Sequence, residues 1–166
     1  MKGRTTARMT SRTLAAAALL LVLPASPAVA APPASPSTPL APAERAAVFQ
    51  AAGFKPRGEQ WIRCEEDPPT ASYQAGSIEV ADLNGDGSPE AWVKESSTFC
   101  YGHTAEAFVL LTREKDGTWR RILEAIGVPV VRDTRNLGWP DVEVGGPGFG
   151  ASPVHRWDGT RYAAPR

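Results

Sequence analysis

Oxygen-bearing side chains recur at alternate positions in residues 82–90, which read DLNGDGSPE. A hard cation such as Ca²⁺ takes about six to eight oxygen ligands, and alternate residues of a tightly curled loop direct their oxygens toward one centre. The pattern therefore predicts a calcium loop, in which Gly87 allows the sharp turn. Its expected ligands are the side chains of Asp82, Asn84 and Asp86, the backbone carbonyl of Ser88, and Glu90 either directly or through a water molecule.

Two other kinds of loop share part of this pattern. An EF-hand needs a bidentate Glu at its twelfth position and a helix on each side, whereas this chain has Val93 there and strand-like flanks. A self-capped turn needs only Asp and Asn side chains that accept hydrogen bonds from nearby backbone N–H groups, and it binds no metal. The EF-hand is excluded, and the self-capped turn stays open beside the calcium loop.

Residues 78–93 resemble the strand-loop-strand element of FG-GAP and VCBS-type repeats, whose DxNxDGxxE/D loops bind calcium. Those repeats build β-propellers of several blades, but the motif occurs once in this chain. The resemblance therefore implies a local calcium loop and hairpin, not a propeller. The segments AAGF, QW, GWPDVEVGGPGF and RWDG, taken with the loop, are also similar to small exported bacterial proteins, a likeness that implies no particular activity.

The chain has two cysteines, Cys64 and Cys100. In an oxidising compartment such a pair is usually joined, so we predict one structural disulfide. The alternative is a catalytic thiol, which would more typically show a CxxC spacing or a supporting His.

Other residues that could take part in catalysis or ligand binding have ordinary structural interpretations. His103 could act as a general base, but a surface-loop histidine is the simpler interpretation, and His155 has no partner at metal-ligand spacing. The glycine-dense segment 145–150 lacks the Lys and Ser or Thr of a phosphate loop and is predicted to be a turn. Among the five tryptophans, Trp61 and Trp92 are predicted to lie in the core, while Trp139 and Trp157 could be core or an exposed stacking platform.

The elements that must position these residues are mainly strands. Residues 43–52 predict a short amphipathic helix that ends at Gly53. Beyond it, β-branched and aromatic runs predict strands at 60–64, 77–82, 90–95, 105–113, 119–126, 141–144, 153–157 and 161–163. Asp116-Gly117 and Asp158-Gly159 predict tight hairpin turns. The predicted fold class is α+β, mainly β: a single antiparallel sheet with a short N-terminal helix and one disulfide.

The N-terminus has the three parts of a secretion signal. Four basic residues precede an apolar run at 14–23, and Ala28-Val29-Ala30 offers a cleavage site. We therefore predict a signal peptide at 1–30, a disordered Pro/Ala/Ser linker at 31–42 and a mainly β domain at 43–166. Export would be to a periplasm or the medium, with no stable membrane insertion after cleavage, because the apolar run is too short to span a bilayer.

Charge limits the partners of the exported chain. Removing residues 1–30 leaves 14 basic and 18 acidic residues, a formal charge of 14 − 18 = −4, which argues against nucleic acid. We expect a non-enzymatic binding or envelope-associated module that contacts an unknown protein or glycan of the cell envelope. The alternative is a small extracellular enzyme or enzyme inhibitor that uses the face formed by His103 and the glycine-rich segment.

Overall fold

The computed structural model describes residues 40–146, 148 and 150–164. The predicted signal peptide and most of the predicted linker lie outside the described residues. In chain order the elements are α1 (Pro42–Ala51), β1 (Lys55–Arg57), β2 (Gln60–Ile62), β3 (Gln74–Ala81), β4 (Glu90–Ser96), α2 (Thr98–Tyr101), a short 3₁₀ helix (Gly102–Thr104), β5 (Glu106–Arg113), β6 (Trp119–Ile126), β7 (Val128–Asn136), β8 (Trp139–Gly145), β9 (Val154–Trp157) and β10 (Tyr162–Ala163).

The strands form two four-stranded antiparallel sheets and one separate hairpin, so the prediction of a single sheet was wrong. One sheet has the order β3-β4-β5-β6, the other has the order β10-β9-β8-β7, and β1 pairs with β2. The predicted mainly β character, the N-terminal helix and the disulfide are confirmed. Local sequence patterns indicate where strands lie but not which strands pair, so they do not distinguish one sheet from two.

The first sheet is covered on both faces. On one face, Ala91, Val93, Val109 and Leu111 pack against Val48 and Phe49 of α1 and against Ala52 and Phe54, which follow it. On the other face, Trp92, Phe108 and Leu110 pack with Ile122 and Leu123 against Trp139, Val142, Val144, Trp157 and Tyr162 of the second sheet. Burial on both faces explains why residues 107–111 are apolar without alternation.

The chain crosses from the first sheet to the second at Gly127, which joins β6 directly to β7. Its φ of 148° lies outside the range that side chains favour, and an added Cβ would lie 2.5 Å from the Gly145 carbonyl oxygen. Only glycine suits this corner.

Candidate functional site

The candidate calcium loop joins β3 to β4. Pairing of Ala81 with Glu90 closes the loop at its base, and Gly85 and Gly87 take positive φ values of 78° and 85° inside it. Side-chain residues rarely adopt these angles, so the two glycines let the chain curl tightly enough to bring the predicted ligands into one turn.

Three of the predicted ligands cap the loop's own backbone. Asp82 accepts hydrogen bonds from the N–H groups of Gly85 at 2.7 Å and Gly87 at 3.0 Å. Asn84 Oδ1 accepts from Asp86 N–H at 2.8 Å, and Asn84 Nδ2 donates to Asp86 Oδ2 at 2.9 Å. The side chains are thus hydrogen-bonded to their own loop, while Asp82 and Asp86 stay exposed at its surface.

Ser88 lies half-buried near the end of the loop. Its backbone N–H donates to Asp86 Oδ1 at 2.7 Å, which links the second carboxylate to the last turn before β4.

Glu90 behaves differently from the other predicted ligands, because its side chain is fully buried. Its Oε2 accepts from the backbone N–H of Leu83 at 2.9 Å, and its Oε1 accepts from the Thr112 hydroxyl at 3.0 Å. Burial, and to a smaller extent the negative charges of Asp86 and Asp82, raise the pKa of Glu90 to about 7 against the lowering effect of its two hydrogen bonds. Glu90 therefore holds the start of the loop to the sheet.

The side chains of these residues do not form a preorganised metal-binding site. In the part of the chain that the structure describes, no group of three or more His, Cys, Asp or Glu side chains is arranged to hold a metal ion. Glu90 is engaged with Leu83 and Thr112, and Asp82 and Asp86 cap backbone N–H groups of their own loop.

The loop also contacts the second sheet. Arg135, near the end of β7, donates from one guanidinium nitrogen to the Leu83 carbonyl at 3.1 Å and to the Gly138 carbonyl at 2.7 Å. The Leu83 side chain packs against the cluster between the sheets. The loop is therefore a junction between the β3–β4 hairpin and the β7–β8 hairpin.

The Cys64–Cys100 disulfide is present, as predicted, with a Cα–Cα distance of 6.0 Å. Beside it lies a buried carboxylate, Glu95, which the sequence did not single out. Glu95 accepts hydrogen bonds from the backbone N–H groups of Arg63 and Cys64, each at 2.9 Å, and from the hydroxyls of Tyr73 and Tyr101.

These surroundings shift the pKa values of the two phenols. Burial, together with the negative charge of Glu95, raises the pKa of Tyr73 to about 12 and raises the pKa of Tyr101 as well. No local pattern marks Glu95, because its strand also contains Glu90, Lys94 and Ser96. Three of its hydrogen-bond donors, Arg63, Cys64 and Tyr73, lie 22 to 32 residues earlier in the chain.

His103 is exposed on the 3₁₀ turn, and its side chain makes no hydrogen bond to any other described residue. The glycine-rich segment passes close to this turn, since a Cβ on Gly146 would lie 4.0 Å from the Thr104 hydroxyl. The described residues that line the depression along this segment are glycines, Ile126, Val144, Ala151, Ser152 and Pro153, none of which ionises. The structure brings the 3₁₀ turn and the glycine-rich segment, the two parts of the alternative site, near each other.

The tryptophans belong to the interior. Trp92 is buried, as predicted, and the half-buried Trp61 stacks on Phe49 with ring centroids 5.1 Å apart. Trp139 and Trp157 are also buried and stack on each other at 4.3 Å. They form part of the core between the sheets and not an exposed platform.

Among the described residues, no helix has the length and apolar character needed to cross a membrane. Comparison of the chain with protein-family models, with curated proteins and with solved structures found no match.

Proposed function

We propose that the protein is an exported, non-enzymatic binding or envelope-associated module whose β3–β4 loop binds calcium as a structural element. The observation that carries this proposal is the clustering of two carboxylates and an amide oxygen, from Asp82, Asn84 and Asp86, in one tight turn. Their hydrogen bonds to the loop's own N–H groups are also those of a self-capped turn, and the response to calcium separates the two.

The chemistry of this turn suits a hard cation. Two carboxylates and an amide oxygen lie within five residues, and each carboxylate oxygen has two lone pairs, of which one accepts a hydrogen bond from within the loop. Ser88 would add its carbonyl, and Glu90 would act through a water molecule while it keeps its bond to Leu83. A cation would also offset the repulsion that now acts among the three carboxylates.

The surroundings of the loop favour a structural role for the cation. The backbone of Leu83 is hydrogen-bonded to Glu90 of the first sheet and to Arg135 of the second. A change in the conformation of the loop would therefore alter its contacts with both sheets. A cation that rigidifies the loop would stabilise the contact between two hairpins.

Two features support a binding module over an enzyme. His103 stands exposed on its turn, and the depression beside the glycine-rich segment is lined by described residues that carry no ionisable group. A general acid or base in that face would need a second polar group to orient it. The expected partner is a protein or glycan of the cell envelope.

The export half of the proposal rests on the basic, apolar and small-residue order of the first 30 residues. We expect the mature protein to begin at or near Ala31, because cleavage follows the Ala-x-Ala pattern. Mass spectrometry of the periplasmic and secreted fractions measures this directly. Recovery of the intact chain from Met1 in the cytoplasm would contradict it.

The binding half is tested by affinity capture from the envelope fraction of the producing cell. The immobilised domain should retain a specific component in calcium and less of it in chelator, because the loop braces two hairpins. The Asp86→Ala variant is the control, because it should retain the same small amount of the component in calcium and in chelator. Failure to retain anything above a blank resin in either buffer would contradict the binding role.

A further inference from the structure

A surface groove of about 460 Å³ lies beside β6, the last strand of the first sheet. One wall is formed by residues 121–124 of β6, and the other by His155 and residues 161–164, which include β10. β10 is the last strand of the second sheet. The groove therefore lies between the β6 edge of the first sheet and the β10 edge of the second sheet.

The walls of this groove are strand edges and not strand faces. A β-bulge at residues 121 and 122 interrupts the regular alternation of side chains in β6. Ile122 and Leu123 both face the second sheet, whereas Arg121 and Glu124 pair with residues that face α1, so a cavity bordered by all four runs along the edge. At that edge lie the backbone N–H and C=O groups of β6 that are not paired with β5. Such an edge is a template for a further strand.

The rim of the groove is basic, although the exported chain is acidic overall. Arg161 and His155 border it on one wall, and Arg121 borders it on the β6 wall, where its guanidinium also donates to the Ala51 carbonyl at 2.6 Å. Its one acidic residue, Glu124, is engaged by Arg63 and, at 3.5 Å, by Arg121. The local field therefore favours a negatively charged occupant.

We propose that an extended acidic segment of a partner protein binds in this groove by adding as a strand to the free edge of β6. The inference rests on the proposed role of the domain as a binding module and names the class of partner. Main-chain hydrogen bonds would supply affinity, and carboxylates facing Arg161 would supply specificity.

Two other occupants fit the groove less well. The chain's own segment 31–39 is rich in proline, which lacks the N–H that strand pairing uses, and it carries no charge. A second copy that docked through the same groove would bring an identical basic rim against the first, and like charges repel.

The test uses the purified domain and a short blocked peptide of alternating valine and glutamate, titrated by calorimetry. We expect saturable binding that weakens about tenfold or more when glutamine replaces glutamate in the peptide, and also in the Arg161→Glu variant. Lys115→Glu is the matched control, since it makes the same charge change on the exposed β5–β6 turn and should leave affinity unchanged.

Hydrogen exchange then separates strand addition from simple ionic attraction. Bound peptide should slow exchange at the β6 amides that do not pair with β5 and leave the other edge strands unaffected. Equal affinity for the charged and neutral peptides would overturn the groove proposal, and so would unchanged hydrogen exchange in β6. Protection of β6 that depends on protein concentration would also overturn it, because it would show that a second copy of the chain occupies the groove. If envelope capture persists with full strength in Arg161→Glu, the groove proposal fails and the proposed function stands.

Discussion

Loss of the Cys64–Cys100 disulfide should lower the free energy of unfolding by about 3 to 4 kcal/mol, because the bond closes a loop of 36 residues in the unfolded chain. A small domain has a total stability of only about 5 to 15 kcal/mol, so the loss is large. Urea unfolding of the Cys64→Ala/Cys100→Ser double variant, compared with the oxidised wild type, measures it.

Reductant provides the control for this experiment. It should shift the wild-type midpoint toward that of the double variant and leave the double variant unchanged. The hydrogen bond from Cys64 N–H to Glu95 does not involve sulfur, so the buried carboxylate stays satisfied in both proteins. An identical midpoint for wild type and double variant would show that the disulfide contributes no stability.

Glu90→Gln should stabilise the calcium-free protein at neutral pH by up to about 3 kcal/mol. The folded pKa of Glu90 is raised to about 7 from 4.5, chiefly by burial, so the charged form is disfavoured in the folded protein. The stability that the neutral carboxyl contributes is full below about pH 4.5 and is lost as pH rises through about 7. Glutamine stays neutral and can still accept from Leu83 N–H.

The measurement is the difference in unfolding free energy between Glu90→Gln and wild type, in chelator, across that pH range. It should be small at the acid end and grow toward pH 7 and above. Glu79→Gln is the control, because Glu79 is exposed and paired only with Lys94 at the surface. A difference that stays flat with pH would show that Glu90 titrates normally.

The loop and the disulfide could be predicted from sequence because each depends on few residues. Asp82, Asn84, Asp86 and the two glycines lie within six residues of one another, so their joint position follows from local chain geometry. Thr112 donates a hydrogen bond to Glu90, and Tyr101 donates one to Glu95. These contacts depend on which strands pair and on the path of the chain between them, and local residue spacing does not encode either.

The missed strand β7 shows the same limit. Pro129 and the charged residues from Arg132 onward disfavour a strand in a sequence pattern, yet a proline and charges are tolerated on the edge strand that β7 forms. The turn after it uses Leu137 at a φ of 50° before Gly138, in place of the usual Asn-Gly or Asp-Gly, so no hairpin signal marked it.

Calcium binding by the β3–β4 loop is tested most directly by thermal unfolding of the purified domain in chelator and in millimolar calcium. With a dissociation constant on the order of 0.1 mM, about 1 mM calcium should stabilise the wild type by about 1.4 kcal/mol, a rise of several degrees in Tm. Asp86→Ala should abolish the rise. Asp116→Ala is the matched control, because Asp116 also caps its own turn, at 2.9 Å from Thr118 N, but belongs to the β5–β6 hairpin and should leave the calcium response intact. A wild-type Tm that is the same in chelator and in calcium would contradict the account and leave residues 82–90 as a self-capped turn.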